Sequence, residues 1–143
     1  DEQVQRMCMN YRNNFARLAK TLVEDHQDTV RAVKVLDRCT QIMPKEKVPY
    51  NFFSIYLADA YFKCGESKKG IAIMNDLLDQ YYNEMLWYAD QKDDQRDLLR
   101  SEIDRAEQAI QTIGFFASRY QQKTITDKAD QYMKSFAKLN AGN

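Results

Sequence analysis

Apolar residues recur three and four positions apart along most of this chain, the spacing that gathers them on one side of an α-helix. In the first segment Val4, Met7, Cys8, Tyr11, Phe15, Leu18, Ala19 and Leu22 predict a helix over about 2–24, with an apolar face that needs a partner. After the polar break at 25–28, with Asp28 as N-cap, Val30, Val33, Leu36, Cys39 and Ile42 predict a second helix, which Pro44 stops. Pro49 suits entry into a third helix over roughly 50–64, and Gly65 stands where a left-handed cap is favoured. Ser67 is the expected cap of a fourth helix, where Ile71, Met74, Leu77, Leu78, Tyr81, Met85 and Tyr88 continue to about Asp90. A break near Asn83 is the alternative. The acidic stretch 90–94 reads as a loop with Asp93 or Asp94 as cap. Beyond it Leu99, Ile103, Ala106, Ile110, Ile113, Ala117 and Tyr120 alternate in steps of four and three, a heptad seam. After a turn at 124–127, Ala129, Met133, Phe136 and Leu139 supply the matching stripe of a sixth helix, and the tail 140–143 is expected to fray.

The class that follows is all-α, since β-branched alternation is nearly absent. Aligning the helix pairs on their small residues sets Leu18, Ala19, Ala32, Leu36 and Cys39 against Leu57, Ala58, Gly70, Met74 and Leu77, with Pro44 ending the first pair, a weak internal repeat. It resembles the tetratricopeptide pattern, in which small residues let two helices of a hairpin approach while larger ones fill the space between pairs. The expected architecture is therefore one domain over 1–143 made of antiparallel hairpins in a right-handed α-α superhelix: a first pair over 1–44, a second over 48–90 and a capping hairpin over 94–139. In such an arrangement the inner helices line a groove, which points Asn13, Lys20, Phe52, Asp59, Phe62 and Lys63 into it as candidate contacts for a protein or peptide. The aromatic crowding at Tyr50, Phe52, Phe53, Tyr56, Tyr61 and Phe62 reads either as core between repeats or as a binding surface.

Composition narrows the partners. Basic and acidic residues balance at 21 each, so no overall field draws in nucleic acid or an anionic membrane. The longest uncharged stretch, 110–118, is about half of the ~20 residues that span a bilayer, so no membrane insertion is expected of it. His26 is the only histidine and falls in a polar turn, which leaves Ser-His-Asp and Cys-His arrangements without a base. Asp90, Asp93, Asp94 and Asp97 lack the glycine and final glutamate of a calcium loop, and no phosphate-binding glycine loop is present. No cofactor, no metal and no catalytic residue are expected in this chain. The three cysteines Cys8, Cys39 and Cys64 form no CxxC pair and read as buried thiols. Antiparallel pairing of the first two helices also brings Cys8 toward Cys39, so a bridge between them is a second hypothesis.

The run Arg6-Met7-Cys8, then Phe15-Ala16-Arg17-Leu18-Ala19, Lys34-Val35-Leu36-Asp37-Arg38-Cys39, Met43-Pro44, Val48-Pro49-Tyr50 and Leu86-Trp87-Tyr88 resembles the C-terminal helical region of the Bacteroidetes DUF2723 family. Those are multi-pass membrane proteins similar to protein O-mannosyltransferases of the GT-C type, and the resemblance covers about 1–90. It implies that the chain, which opens at Asp1, is the extracytoplasmic, periplasmic tail of a glycosyltransferase-like membrane protein. The family's catalytic positions would then lie outside it, and an oxidising compartment would favour the Cys8 to Cys39 bridge. The function expected is non-catalytic docking of a protein, a peptide or the parent's own membrane domain. The rivals are an acceptor-binding part of a protein O-glycosyltransferase, a free-standing cytoplasmic tetratricopeptide scaffold, and a homodimer through the heptad face of the fifth helix.

Overall fold

The computed structural model describes residues 1–141, with side chains to Leu139. Among these residues it is entirely helical, with seven helices: α1 (Glu2–Glu24), α2 (Thr29–Ile42), α3 (Ser54–Lys63), α4 (Ser67–Ala89), α5 (Asp93–Leu98), α6 (Arg100–Arg119) and α7 (Lys123–Ala141). The chain forms two compact units, Asp1–Ile73 and Met74–Asn143, and α4 begins in the first and ends in the second. Of the tail expected to fray, 140 and 141 are helical backbone, and 142–143 lie outside the described residues.

Several helix ends follow local chemistry that the sequence announces. Asp28 caps α2 by accepting from the Arg31 N–H at 3.0 Å. Gly65 takes φ +78 after α3, so that the Glu66 N–H donates to Tyr61 O and the Gly65 N–H to Phe62 O, satisfying carbonyls the helix leaves open. Other ends differ. α3 starts at Ser54, not near Tyr50, because Asn51 and Ser54 close a turn: the Asn51 N–H donates to Ser54 Oγ and the Ser54 N–H to Asn51 O. Ser67 is the first helical residue of α4 and not its cap. The expected fifth helix is two helices, broken at Leu99, whose φ −94 and ψ 5 leave the helical region. Residues 93–98 bury nothing that would hold them in line with α6, and Leu98 is 83% exposed.

In the first unit α1 packs on both α2 and α3, and α2 also touches α3. Ala16 and Ala19 of α1, Ala32, Leu36 and Cys39 of α2, and Ile55, Leu57, Ala58 and Tyr61 of α3 form its core. α1 is turned only in part from its expected orientation: of the predicted stripe Ala19 is buried, and Cys8, Phe15 and Leu22 are half-buried. Its buried residues are Arg12, Ala16 and Ala19, whereas Val4, Met7, Tyr11 and Leu18 from the predicted inner stripe are about half exposed. The alanines allow close approach of the neighbouring helices, and Arg12 is brought inside by hydrogen bonds that no apolar count registers.

Arg12 is 3% exposed. Its guanidinium donates to three backbone carbonyls of the loop after α2: Met43 O at 3.1 Å, Val48 O at 2.6 Å and Pro49 O at 3.1 Å. It also lies over the Tyr50 ring at 5.1 Å. Met43 O belongs to the carbonyls left open at the α2 C-terminus, where a cation is favoured by the helix dipole as well. Burial lowers the Arg12 pKa, while the Cys39 thiol, Tyr50 hydroxyl and Cys8 thiol oppose that shift.

The second unit is built from the end of α4 with α6 and α7. Met74, Leu77, Leu78 and Met85 of α4, Ile103, Ala106, Ile110, Ile113 and Ala117 of α6, and Ile125, Ala129 and Phe136 of α7 are buried. The heptad seam of α6 is thus occupied within the chain. A polar seam joins α4 to α7: Tyr82 stacks on Tyr132 at 3.9 Å, and Asp79 accepts from the Tyr132 hydroxyl at 2.6 Å and pairs with Lys128 at 2.8 Å.

Both units hold acidic hydrogens more tightly folded than unfolded. Burial pushes the Cys39 thiol up to about 11 and the Tyr81 and Tyr132 hydroxyls up to about 12, and it raises Tyr61 further, whose hydroxyl donates to Asp37 at 3.0 Å. A raised acid pKa contributes stability that is complete below the unfolded value and is lost as pH rises through the folded one. Stability is therefore expected to fall from about pH 9, where unfolded cysteine begins to ionise, and more steeply from about pH 10 with tyrosine. Urea midpoints that drop between pH 8 and pH 11, in step with tyrosinate absorbance, are the expected record; a flat midpoint would contradict it.

Candidate functional site

The six candidate groove residues lie on α1, on α3 and in the turn that leads into α3, and the structure sorts them into two places in the first unit. Lys63 joins Glu24 at 2.6 Å and Asp59 at 3.7 Å. A hydrogen bond from Lys63 holds the Glu24 carboxyl below its usual range despite some burial, and Lys20 adds to the same effect. Lys20, Asp59 and Lys63 therefore do come together, but as a largely self-neutralised cluster completed by Glu24. Asp59 is buried, and so is Phe62, whose ring lies against Gly70 on α4. Neither side chain faces an open groove.

The second place is at the N-terminal half of α1. Asn13 lines a recess of about 290 Å3 together with Arg6, Met9, Asn10 and Phe53. Phe52 is half-buried beside it, edge-on to Phe53 at 5.8 Å. Phe53 stacks in turn on Tyr56 with ring centroids 6.4 Å apart and planes 24° from parallel. Phe53 is 52% exposed and Tyr56 40%. The turn that delays α3 is what swings Phe53 outward, so a helix assumed to start at Tyr50 could not show it. Glu24 was missed for a similar reason, because it stands at a helix end that the polar break alone defines.

Chemically the recess offers two carboxamides, each both donor and acceptor, beside an apolar wall and one guanidinium that pairs only loosely with Glu2 at 3.9 Å. That combination suits a peptide backbone with an apolar side chain. No family model, no curated protein and no solved structure matches the chain. The site therefore rests on its own geometry. His26 is exposed in the turn after α1, and among the described residues no three His, Cys, Asp or Glu side chains are grouped to hold a metal ion. No helix among them is long and apolar enough to cross a membrane.

The three cysteines are free thiols in this structure, Cys39 and Cys64 buried and Cys8 half-buried. Burial raises the pKa of both Cys39 and Cys64, which further slows them as nucleophiles. One thiol, Cys8, is expected to react promptly with an aromatic disulfide reagent at pH 8, and all three after unfolding without reductant. A single thiol after unfolding would show the Cys8 to Cys39 bridge instead.

Proposed function

We propose that the chain is a non-catalytic docking module of tetratricopeptide-like helix hairpins that binds a protein or peptide on the α1 and α3 surface around Phe53. Two features support the hairpin arrangement. Ala19, Ala32, Ala58 and Gly70, the small residues of the repeat, are all buried. Phe53 at the start of α3 adjoins Met9 and Asn13 of α1, while Lys63 at its end reaches Glu24, so α1 and α3 run parallel, as successive inner helices of such a repeat do.

The observation that carries the docking reading is the exposure of Phe53 and Tyr56 beside a recess lined by Asn10 and Asn13, with the half-exposed stripe Val4, Met7 and Tyr11 on the same helix. Aromatic side chains left in water beside convergent amide groups are the composition of an interface anchor. The sequence resemblance of residues 1–90 supports the further reading that the parent is a membrane glycosyltransferase-like protein, with this module on its extracytoplasmic face. Its partner is then a protein, an acceptor peptide or the parent's membrane domain, and not nucleic acid. Phe53→Ser combined with Tyr56→Ser tests the surface in the parent protein. The variant is expected to fold normally, since both side chains are exposed, and to lose the association; unchanged association would refute the assignment.

A further inference from the structure

In the second unit a recess of about 840 Å3 is lined by the last turns of α4, by α5 and by the end of α7. That size falls within the roughly 300–1,000 Å3 of small-molecule sites. Leu86, Trp87 and Leu139 make its apolar wall, and Arg96 and Lys138 bring two cations against the single carboxylate of Asp90. Trp87 is 58% exposed, although tryptophan is on average a well-buried residue.

Arg96 is the informative member. Its side chain is only 18% exposed, and its Nε is buried with no hydrogen-bond partner, a rare state for a charged group. Its Nη2 meets Asp93, a carboxylate almost wholly in water, and an exposed pair of that kind adds little. A ligand carboxylate that displaces Asp93 takes over Nη2 and, once that movement uncovers the buried Nε, engages both side-on and supplies the missing acceptor. A peptide or a sugar would need further polar groups, and the Gln91 Nε2 is already donated to the Trp87 carbonyl at 2.9 Å.

We propose that this recess binds a small amphiphilic carboxylate, with its acyl or aryl body on Trp87, Leu86 and Leu139 and its charged end on Arg96 beside Lys138. The site is separate from the docking surface around Phe53 and stands or falls without it.

Trp87 is the only tryptophan in the chain, so its emission reports this recess directly. Titration of the full chain with octanoate is expected to give a saturable blue shift, and octanol, the same body without the charge, no saturable change. Arg96→Gln should weaken octanoate about tenfold, and Asp93→Asn should tighten it by removing the competing carboxylate. No saturable shift with octanoate, equal binding of octanol, or an Arg96→Gln variant of unchanged affinity would each overturn the proposal. Should Arg96→Gln fail to fold, the octanoate and octanol comparison on the unaltered chain decides alone.

Discussion

Replacing Arg12 by methionine is expected to lower the free energy of unfolding by about 3 kcal/mol, a large share of what holds a domain of this size together. Methionine follows the side chain out to about the position of Nε and keeps its apolar stem, so the loss is chiefly that of the guanidinium's bonds. Three carbonyls, Met43 O, Val48 O and Pro49 O, lose a charged donor at once, and the bond to Met43 O is buried. An acceptor buried without a partner costs about 1–3 kcal/mol, and removal of the cation also exposes the α2 C-terminus to its own dipole. Arg12→Lys should recover part of the loss, because a single ammonium cannot span three carbonyls in the fork that guanidinium presents. Urea denaturation of the three proteins measures the order directly. A loss below about 1 kcal/mol for Arg12→Met would mean that water replaces the guanidinium and that the loop after α2 holds its shape unaided.

Gly70→Leu is the second change expected to be severe, at about 3 kcal/mol. A Cβ at position 70 would already sit 2.6 to 3.0 Å from three carbons of the Phe62 ring, and Phe62 is buried. Gly70→Ala sets two effects against each other, a gain of up to about 1 kcal/mol in helix propensity and an overpacking cost of about 1–3 kcal/mol. Overpacking is expected to win, and Phe62→Leu to relieve it. In a double-mutant cycle the pair should therefore cost less than the sum of its members. Additive losses would show that the ring moves aside freely and that the closeness of α3 to α4 does not depend on Gly70.

The same two residues show how far sequence reasoning reaches. Gly70 was legible as a position of close approach because a small residue inside a helical pattern has few other uses. What it accommodates was not, since Phe62 reads equally well as a groove residue until the partner helix is placed. The α6 seam from Ile103 to Ala117 was legible except for Ala109, which is buried beside it, because its steps of three and four have one helical solution. The inner face of α1 was not, because hydrophobic periodicity counts Arg12 as polar and cannot foresee that three open carbonyls will draw it inside. Leu99 defeated the pattern in the opposite way, fitting a seam that the unburied residues before it could not continue. Of the candidate contacts, Asn13 lines the recess, whereas Phe52 is half-buried and its neighbour Phe53 is the exposed ring, a difference that the turn at Asn51 and Ser54 creates and that helical spacing alone does not show.

The surface around Phe53 is the part of the molecule on which the functional reading rests, and a photo-crosslinking amino acid placed there tests it most directly. With p-benzoylphenylalanine at position 53 of the protein in its own cells, irradiation is expected to give one discrete crosslinked product. The same probe at Asp130, an exposed position on α7, is expected to give none. Equal products at both positions, or none at position 53, would contradict the claim that this chain is a docking module working through α1 and α3.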